Sequence, residues 1–349
     1  MGAVVSDAYR QAGVDVDAGG RAVDLMRRAV KSTHGPRVLA DLGYFGGLFA
    51  LDDQVLVASA DGVGTKLKLA FALGTHRSIG HDIVNHCVND ILTCGAKPLF
   101  FLDYIASGKI VPEQIAEIVE GMAEACREAG CALLGGETAE MPGMYQDGEY
   151  DVAGFIVGRV ERDKLVLGET ITPGDVVLAL PSNGLHTNGY SLARKVFGLD
   201  GDLQHARDRL QRYEESLGCT LGEALMEPHR SYLREVGLLL DLPGRPVKGM
   251  AHITGGGLIE NIPRILPDGC AVELDTNAWE VPPLFMLIEQ EGVVDPAEMP
   301  RVFNMGLGMI IVTAPEQASE VKDNLAEAVE VGRVIEHQGN SRVQMRGRH

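Results

Sequence analysis

The sequence predicts a mixed α/β fold in two domains. Strand-like and helix-like hydrophobic patterns alternate along most of the chain, and three strand-like runs each break into a glycine-rich turn that opens a helical pattern. A length of 349 residues suits two cores, at roughly 100–200 residues per domain.

Residues 55–60 form a β-rich run ending in Asp61-Gly62-Val63-Gly64-Thr65-Lys66. Residues 78–94 read as a helix: Ile79, Ile83, Val84, Cys87, Val88, Ile91 and Leu92 share one broad face, and Gly95 stops it. Residues 99–105 read as a strand. Pro112 opens the clearest helix, with Ile115, Ile118, Val119, Met122 and Cys126 at spacings of three and four, and Gly130 closes it. Residues 131–134 are strand-like and run into Gly135-Gly136-Glu137; 152–160 are strand-like again, after the turn signal Asp147-Gly148. Charged residues 161–164 and Pro173-Gly174-Asp175 then interrupt the pattern, dividing the chain into domains 1–168 and 169–349. The second domain starts at strand 176–180. It continues with strand-like runs at 250–254, 270–274 and 307–313, and helical patterns at 189–197, 222–240, 257–266 and 316–330. Residues 200–220 are polar and irregular and read as a surface excursion.

Composition excludes several function classes. With 31 Lys+Arg against 49 Asp+Glu, the net charge of −18 has the wrong sign for a broad nucleic-acid or acidic-membrane footprint. It leaves room for a local site for a phosphorylated ligand, because backbone N–H groups and a bound metal can neutralise one. No run approaches the ~18 consecutive apolar residues of a membrane span. The first 17 residues carry Asp7, Asp15 and Asp17 and lack the apolar centre of a signal peptide. Residues 1–6 fit the permissive N-myristoylation pattern with nothing basic after them, and read as a chance match. Cysteines 87, 94, 126, 131, 219 and 270 form no CxxC pair and sit in apolar segments, which favours reduced, buried thiols over disulfides or zinc. A cytoplasmic, soluble protein is the expectation.

The three glycine-rich turns are Asp61 to Lys66, Ser182-Asn183-Gly184-Leu185-His186-Thr187-Asn188-Gly189, and Thr254-Gly255-Gly256-Gly257. Helix N-termini with glycine allow close backbone approach to phosphate, although glycine also serves tight turns with no ligand. Neither a Walker A loop nor the G-x-G-x-x-G fingerprint is present, which argues against a P-loop ATPase and a Rossmann dehydrogenase. Asp61, Asp90, Glu137 and Glu140 stand at or beyond the ends of different elements, from where carboxylates can converge on Mg²⁺; turn and capping roles fit them equally well. Asp82, His86 and Asp90, at i, i+4 and i+8, share a helix face and read as a solvated polar face rather than a metal edge. His186, in a glycine-rich turn with little apolar surface to pack on, reads as a ligand or catalytic contact.

These segments resemble the phosphoribosylformylglycinamidine cyclo-ligase (aminoimidazole ribonucleotide synthetase) family. The resemblance is carried by Tyr9-Arg10-Gln11-Ala12-Gly13-Val14-Asp15, the Asp61–Leu67 turn, Val88-Asn89-Asp90-Ile91, residues 95–104, and above all Gly135-Gly136-Glu137-Thr138-Ala139-Glu140-Met141-Pro142-Gly143. Residues 182–192, His252 to Arg264 and 303–309 continue it, so that eight segments in order cover nearly the whole chain. It implies two α/β domains, the first pairing across a homodimer, and a site built from elements of both. It also implies ATP-dependent closure of formylglycinamidine ribonucleotide to aminoimidazole ribonucleotide, with release of ADP and phosphate. Carried over by motif, Asp61, Asp90 and Glu137 would bind Mg²⁺ (K⁺ being a second candidate cation). Gly62, Gly64, Thr65 and Lys66 would cradle the ATP phosphates, with Asn89 and Gly136 beside the carboxylates. His186 and Asn188, with Lys66, would act on the formyl–amidine group, and Gly255, Gly256 and Gly257 would take the second phosphoryl group. Arg27 stands where the family often has Lys, and His86 where it has a small apolar residue, reading as a surface substitution. Selenophosphate synthetase, which needs an early reactive Cys, and thiamine-monophosphate kinase, which lacks the 137–145 motif, fit less well, as does a non-catalytic nucleotide binder.

Overall fold

The computed structural model describes residues 8–40, 42–339 and 341–347, so the N-terminal acylation pattern lies outside the described residues. The first half builds a five-stranded sheet from β1 (Gly47–Leu51), β2 (Gln54–Gly62), β3 (Lys97–Ser107), β4 (Ala132–Glu140) and β5 (Tyr150–Glu161), in spatial order β1-β2-β5-β3-β4. β3 and β4 are parallel, and the Pro112–Ala129 helix makes the crossover between them. That helix begins with Pro in its first turn, where a missing N–H leaves no acceptor waiting, and ends at Gly130 with φ +67°. Alternation along the strands sends Leu48, Val57, Phe101, Ile105 and Ile156 under this helix and the Arg77–Leu92 helix. The two helices cross closely because Gly80 and Gly121 meet at the contact; a Cβ on either would strike the other helix's backbone.

Among the described residues the opposite face of the sheet is largely uncovered. Register places Phe49, Leu51, Phe155 and Leu102 on that one face, and all four are exposed.

The second half builds a six-stranded sheet from β6 (Val176–Pro181), β9 (Gly249–His252), β10 (Cys270–Asp275), β11 (Leu307–Thr313), β12 (Val329–Glu336) and β13 (Val343–Arg346), while β7 (Tyr213–Glu214) and β8 (Cys219–Thr220) form a separate small hairpin. Its order is β13-β10-β12-β6-β11-β9, and central β11 is buried at every position, as its unbroken apolar run implies. On one side of this sheet Leu178, Leu180, Met250, Met309 and Ile311 pack with Leu92 of the first half and with Tyr232 and Val236.

Several expected boundaries move. The 222–240 pattern divides into helices Leu221–Met226 and Leu233–Leu240, with Pro228 in the break. The last helix covers only Ala318–Asn324, and β12 takes over at Val329. β4 runs on through Gly135, Gly136, Glu137 and Glu140 instead of ending before them. Residues 200–220 hold a real helix, Leu203–Leu210, capped by Asp202 and buried through Ala206 and Leu210. β1, β12, β13 and the Pro283–Gly292 helix carry no signal strong enough to have been expected.

Candidate active site at the domain seam

The polar stripe of the Arg77–Leu92 helix is not a solvated face: Asp82, Asn85, His86, Asn89 and Asp90 are all buried. The second half docks on it. Segment 229–232 lies along the stripe, where Asp82 accepts from the His229 N–H at 2.8 Å and Asn85 donates to the His229 carbonyl at 2.8 Å. Asn89 donates to the Arg230 carbonyl at 2.7 Å and accepts from the Tyr232 N–H at 2.9 Å. Spacings of three and four put these side chains in one row, so a single helix satisfies the backbone of an irregular segment inside the molecule. Lys66 belongs to the same seam. Its ammonium, wholly buried, binds Asp82 at 2.8 Å and the Glu227 carbonyl at 2.8 Å, contacts that lie within the seam.

Beside the seam lies a cavity of about 410 Å³, lined by Ser59, Asp61, Asp90, Thr254, Arg264 and the glycine-rich stretch 43–47 among others. Asp61 reaches it from the end of β2 and Asp90 from the last turns of the Arg77–Leu92 helix. Arg264 ties the glycine-rich stretch to the second half, donating to the Gly43 and Tyr44 carbonyls at 2.9 and 2.7 Å with its guanidinium over Phe45. Ser59 donates to Asp90 Oδ2 at 2.9 Å, while Asp61 Oδ1 accepts from the Gly62 N–H at 2.7 Å. Burial alone would raise the Asp61 pKa, but the His86 ring beside it holds the carboxyl below its ordinary range.

Behind the cavity four histidines meet. His86 Nε2 lies 3.0 Å from Asp61 Oδ2, and its Nδ1 is 2.8 Å from Thr187 Oγ1. Thr187 Oγ1 is 3.3 Å from His229 Nδ1; His229 Nε2 is 2.9 Å from His252 Nε2; His252 Nδ1 is 2.9 Å from Asp90 Oδ1. With both carboxylates as acceptors, the protons follow. His252 donates from Nδ1 to Asp90, so its neutral ring accepts from His229 Nε2–H. His229 Nδ1 then accepts the Thr187 hydroxyl proton, and Thr187 accepts from His86 Nδ1–H. His86 Nε2 lies against Asp61 as an ion pair rather than a well-directed hydrogen bond, and the ring is an imidazolium. Its pKa agrees: burial lowers it, yet Asp61 and Asp90 bring it up to about 9. Burial, with the other cations near by, holds His229 and His186 well below the usual histidine range, so both are neutral. His86 is thus no surface substitution.

His186 stands behind the cavity wall, fully buried and stacked on His229 with ring centroids 4.0 Å apart. Its φ of +61° is costly for a residue with a Cβ, and the Asn183 N–H holds it there by donating to Nε2 at 3.0 Å. That bond leaves the proton on Nδ1, which has no hydrogen-bond partner among the described residues. The three glycine-rich turns do gather: Thr65 Oγ1 is 3.2 Å from Ser191 Oγ, and Gly255 lies against the Asn188 side chain. Gly64, Thr65 and Gly255 are exposed, but Gly256 and Gly257 are buried, Gly257 against Pro300. Asn89 is spent on the seam. Gly136 and Glu137 are exposed on edge strand β4, three strands from Asp61 and roughly 14 Å away across the sheet. Glu137 and Asp61 of one chain therefore do not share a cation. Thr187, His229, His252 and Arg264 were not singled out from the sequence as site residues. Thr187 had a trace there as a member of the second glycine-rich turn, and His252 and Arg264 as members of a segment that carries the family resemblance; His229 had none.

A two-domain ATP-using architecture of this kind defines a class, and the comparisons agree with it. The chain matches "AIR synthase related protein, N-terminal domain" over residues 46–160 and the corresponding C-terminal domain over 172–344. It is 54% identical over 328 residues to the phosphoribosylformylglycinamidine cyclo-ligase of Desulfitobacterium hafniense, covering 93% of this chain and 94% of that protein. The enzyme of the same name from Geobacillus thermodenitrificans is 52% identical over 344 residues, covering 96% and 97%. Among solved structures, thiamine monophosphate kinase from Aquifex aeolicus superposes with a TM-score of 0.63 at 16% identity over 93% of this chain and 94% of that one, a likeness of fold. The chain belongs to the phosphoribosylformylglycinamidine cyclo-ligase family.

Proposed function

We propose that the ring closure catalysed by this chain takes place in the cavity between Asp61, Asp90 and the 43–47 stretch. The reaction is an ATP-dependent ligation of purine biosynthesis, forming aminoimidazole ribonucleotide from formylglycinamidine ribonucleotide with release of ADP and phosphate. An amide oxygen leaves poorly until phosphorylated, so ATP converts the formyl oxygen to a phosphate leaving group. The amidine nitrogen of the same molecule then attacks that carbon, and the protein's main task is to hold the two in near-attack geometry. The observation that carries this siting is one cavity at the seam of the two halves, where Asp61, Asp90 and the glycine-rich stretch 43–47 of the first half face Thr254 and Arg264 of the second.

The oxygens of Asp61, Asp90 and the Ser59 hydroxyl suit a hard cation and would hold Mg²⁺, with the His86 and His252 nitrogens beside Asp90. Such an ion, when bound, supplies charge neutralisation for the transferring phosphoryl group. The exposed backbone at Gly64, Thr65 and Gly255 would receive phosphate oxygens, with Asn188 beside them. Lys66 acts by holding the seam, and His186 by packing behind the site. Gly136 and Glu137 would contribute to ATP binding from the uncovered face of the first sheet, where a second copy pairs; the apolar row Phe49, Leu51, Phe155 and Leu102 supports such a homodimer. We assign domains 1–168 and 169–349 and a cytoplasmic location. No described helix is long and apolar enough to cross a membrane.

The test is an ADP-release assay with formylglycinamidine ribonucleotide, ATP and Mg²⁺, with the nucleotide product identified. Equal amounts of ADP and aminoimidazole ribonucleotide, both lost in Asp61→Asn and Asp90→Asn, would support the siting. ADP without the imidazole would point to another phosphoryl acceptor.

A further inference from the structure

We propose that Thr187 is the positioning residue through which the second domain orients both working carboxylates of the first. Its hydroxyl is the junction of two arms, hydrogen-bonded at every step except the closing ion pair between His86 and Asp61. One arm runs through His86, 2.8 Å from the hydroxyl by Nδ1 and 3.0 Å from Asp61 by Nε2. The other runs through His229, 3.3 Å from the hydroxyl, then 2.9 Å to His252 and 2.9 Å to Asp90. Asn188 Nδ2 adds a longer contact at 3.4 Å, and Thr187 itself is buried, so water does not compete for the hydroxyl.

A hydroxyl has one proton to give, and that sets the direction of both arms. Accepting from His86 and donating to His229 keeps His229 in its Nε2–H tautomer, the form that can donate to His252. Reversed, the junction would protonate His229 at Nδ1 and leave two lone pairs facing each other between His229 and His252, whose Nδ1 is already committed to Asp90. Thr187, His229 and His252 come from the second domain, and Asp61, His86 and Asp90 from the first. The orientation of the two carboxylates is therefore a consequence of domain docking, transmitted at one side chain. This inference rests on Asp61 and Asp90 being the working carboxylates.

Thr187→Val keeps the shape and removes the hydroxyl. The expected result is a fall in kcat of about 10–100-fold with KM for ATP and for the ribonucleotide within about 3-fold, and recovery to within about 3-fold in Thr187→Ser. Nitrogen-15 spectra of the substrate-free imidazoles, assigned with His229→Asn, should show His229 protonated at Nε2 in the wild type and the Ser variant and redistributed in the Val variant. Unchanged kcat in a folded Val variant would overturn the proposal. So would equal losses in Val and Ser with the His229 tautomer unmoved, the mark of a packing role. If the Val variant does not fold, Thr187→Ala takes its place with the same readouts. Full turnover in both Asp61→Asn and Asp90→Asn would instead remove the carboxylate assignment, and the tautomer measurement would then decide the junction alone.

Discussion

Asp61 and Glu137 sit on the same five-stranded sheet, in two of the segments most typical of the family, and their surroundings differ completely. At the Asp61 end the sheet meets the Arg77–Leu92 helix and the second domain, and both carboxylate oxygens have partners. At the Glu137 end, edge strand β4 is exposed along nearly its whole length. The seam is a closed structure in which Asp82, Asn85 and Asn89 hold the backbone of segment 229–232. The edge is open, and of its two glutamates Glu140 accepts from the Ile110 N–H. Residues that stand together in a family's motif signature thus need not meet within one molecule.

The sharpest way to break the enclosed side is Lys66→Met. It leaves Asp82 as an uncompensated buried charge, and a loss of about 3–5 kcal/mol of stability is expected in denaturant titration, without the change in cavity residues that a phosphate-binding role would require. Next comes Asp90→Asn. It removes one of the two cavity carboxylates but keeps a side chain of the same shape, and with the proposed siting kcat/KM should fall by about 100-fold or more with melting temperature little altered.

A smaller effect is expected from pH. His186 and His229 have native pKa values depressed below the unfolded value of about 6.5, so the unfolded chain binds more protons in acid. Their contribution to stability is present above that pH and is lost as the pH falls below it; urea midpoints measured from pH 8 down to pH 5 should decline below about 6.5. A midpoint that stays level would mean these rings are not buried neutral. The smallest effect belongs to the open side. Glu137→Gln should shift stability by no more than about 0.5 kcal/mol, while KM for ATP rises if the edge acts across a pair of chains. Leu102→Lys, in the uncovered face, should turn a dimer into monomers in sedimentation, and with Glu137 acting across the pair it should raise the same KM.

Much of the fold could be read directly. The Pro112–Ala129 helix announces both its ends, with Pro112 and Gly130, and β11 is an unbroken apolar run, because local backbone chemistry and burial leave their marks in consecutive residues. Short elements such as β1 and β13 left none. In the site, Asp61, Asp90 and the three glycine-rich turns were legible as chemistry, and the turns do gather. The sign of the polar stripe was not. Asp82, Asn85, His86 and Asn89 have the spacing of a solvated face, and nothing in the helix itself tells that its solvent is another domain's backbone.

The sequence by itself determined the two-domain α/β class, the family and the residue types available for phosphate and cation chemistry, since these rest on local patterns and ordered motifs. Only the tertiary structure decided that Lys66 is sequestered by Asp82, that Glu137 stands apart from Asp61, and that His86, Thr187, His229 and His252 link the two cavity carboxylates. The reason is physical. A hydrogen bond forms between atoms about 3 Å apart, and residues separated by up to 162 positions, as Asp90 and His252 are, come within that distance only when two domains dock.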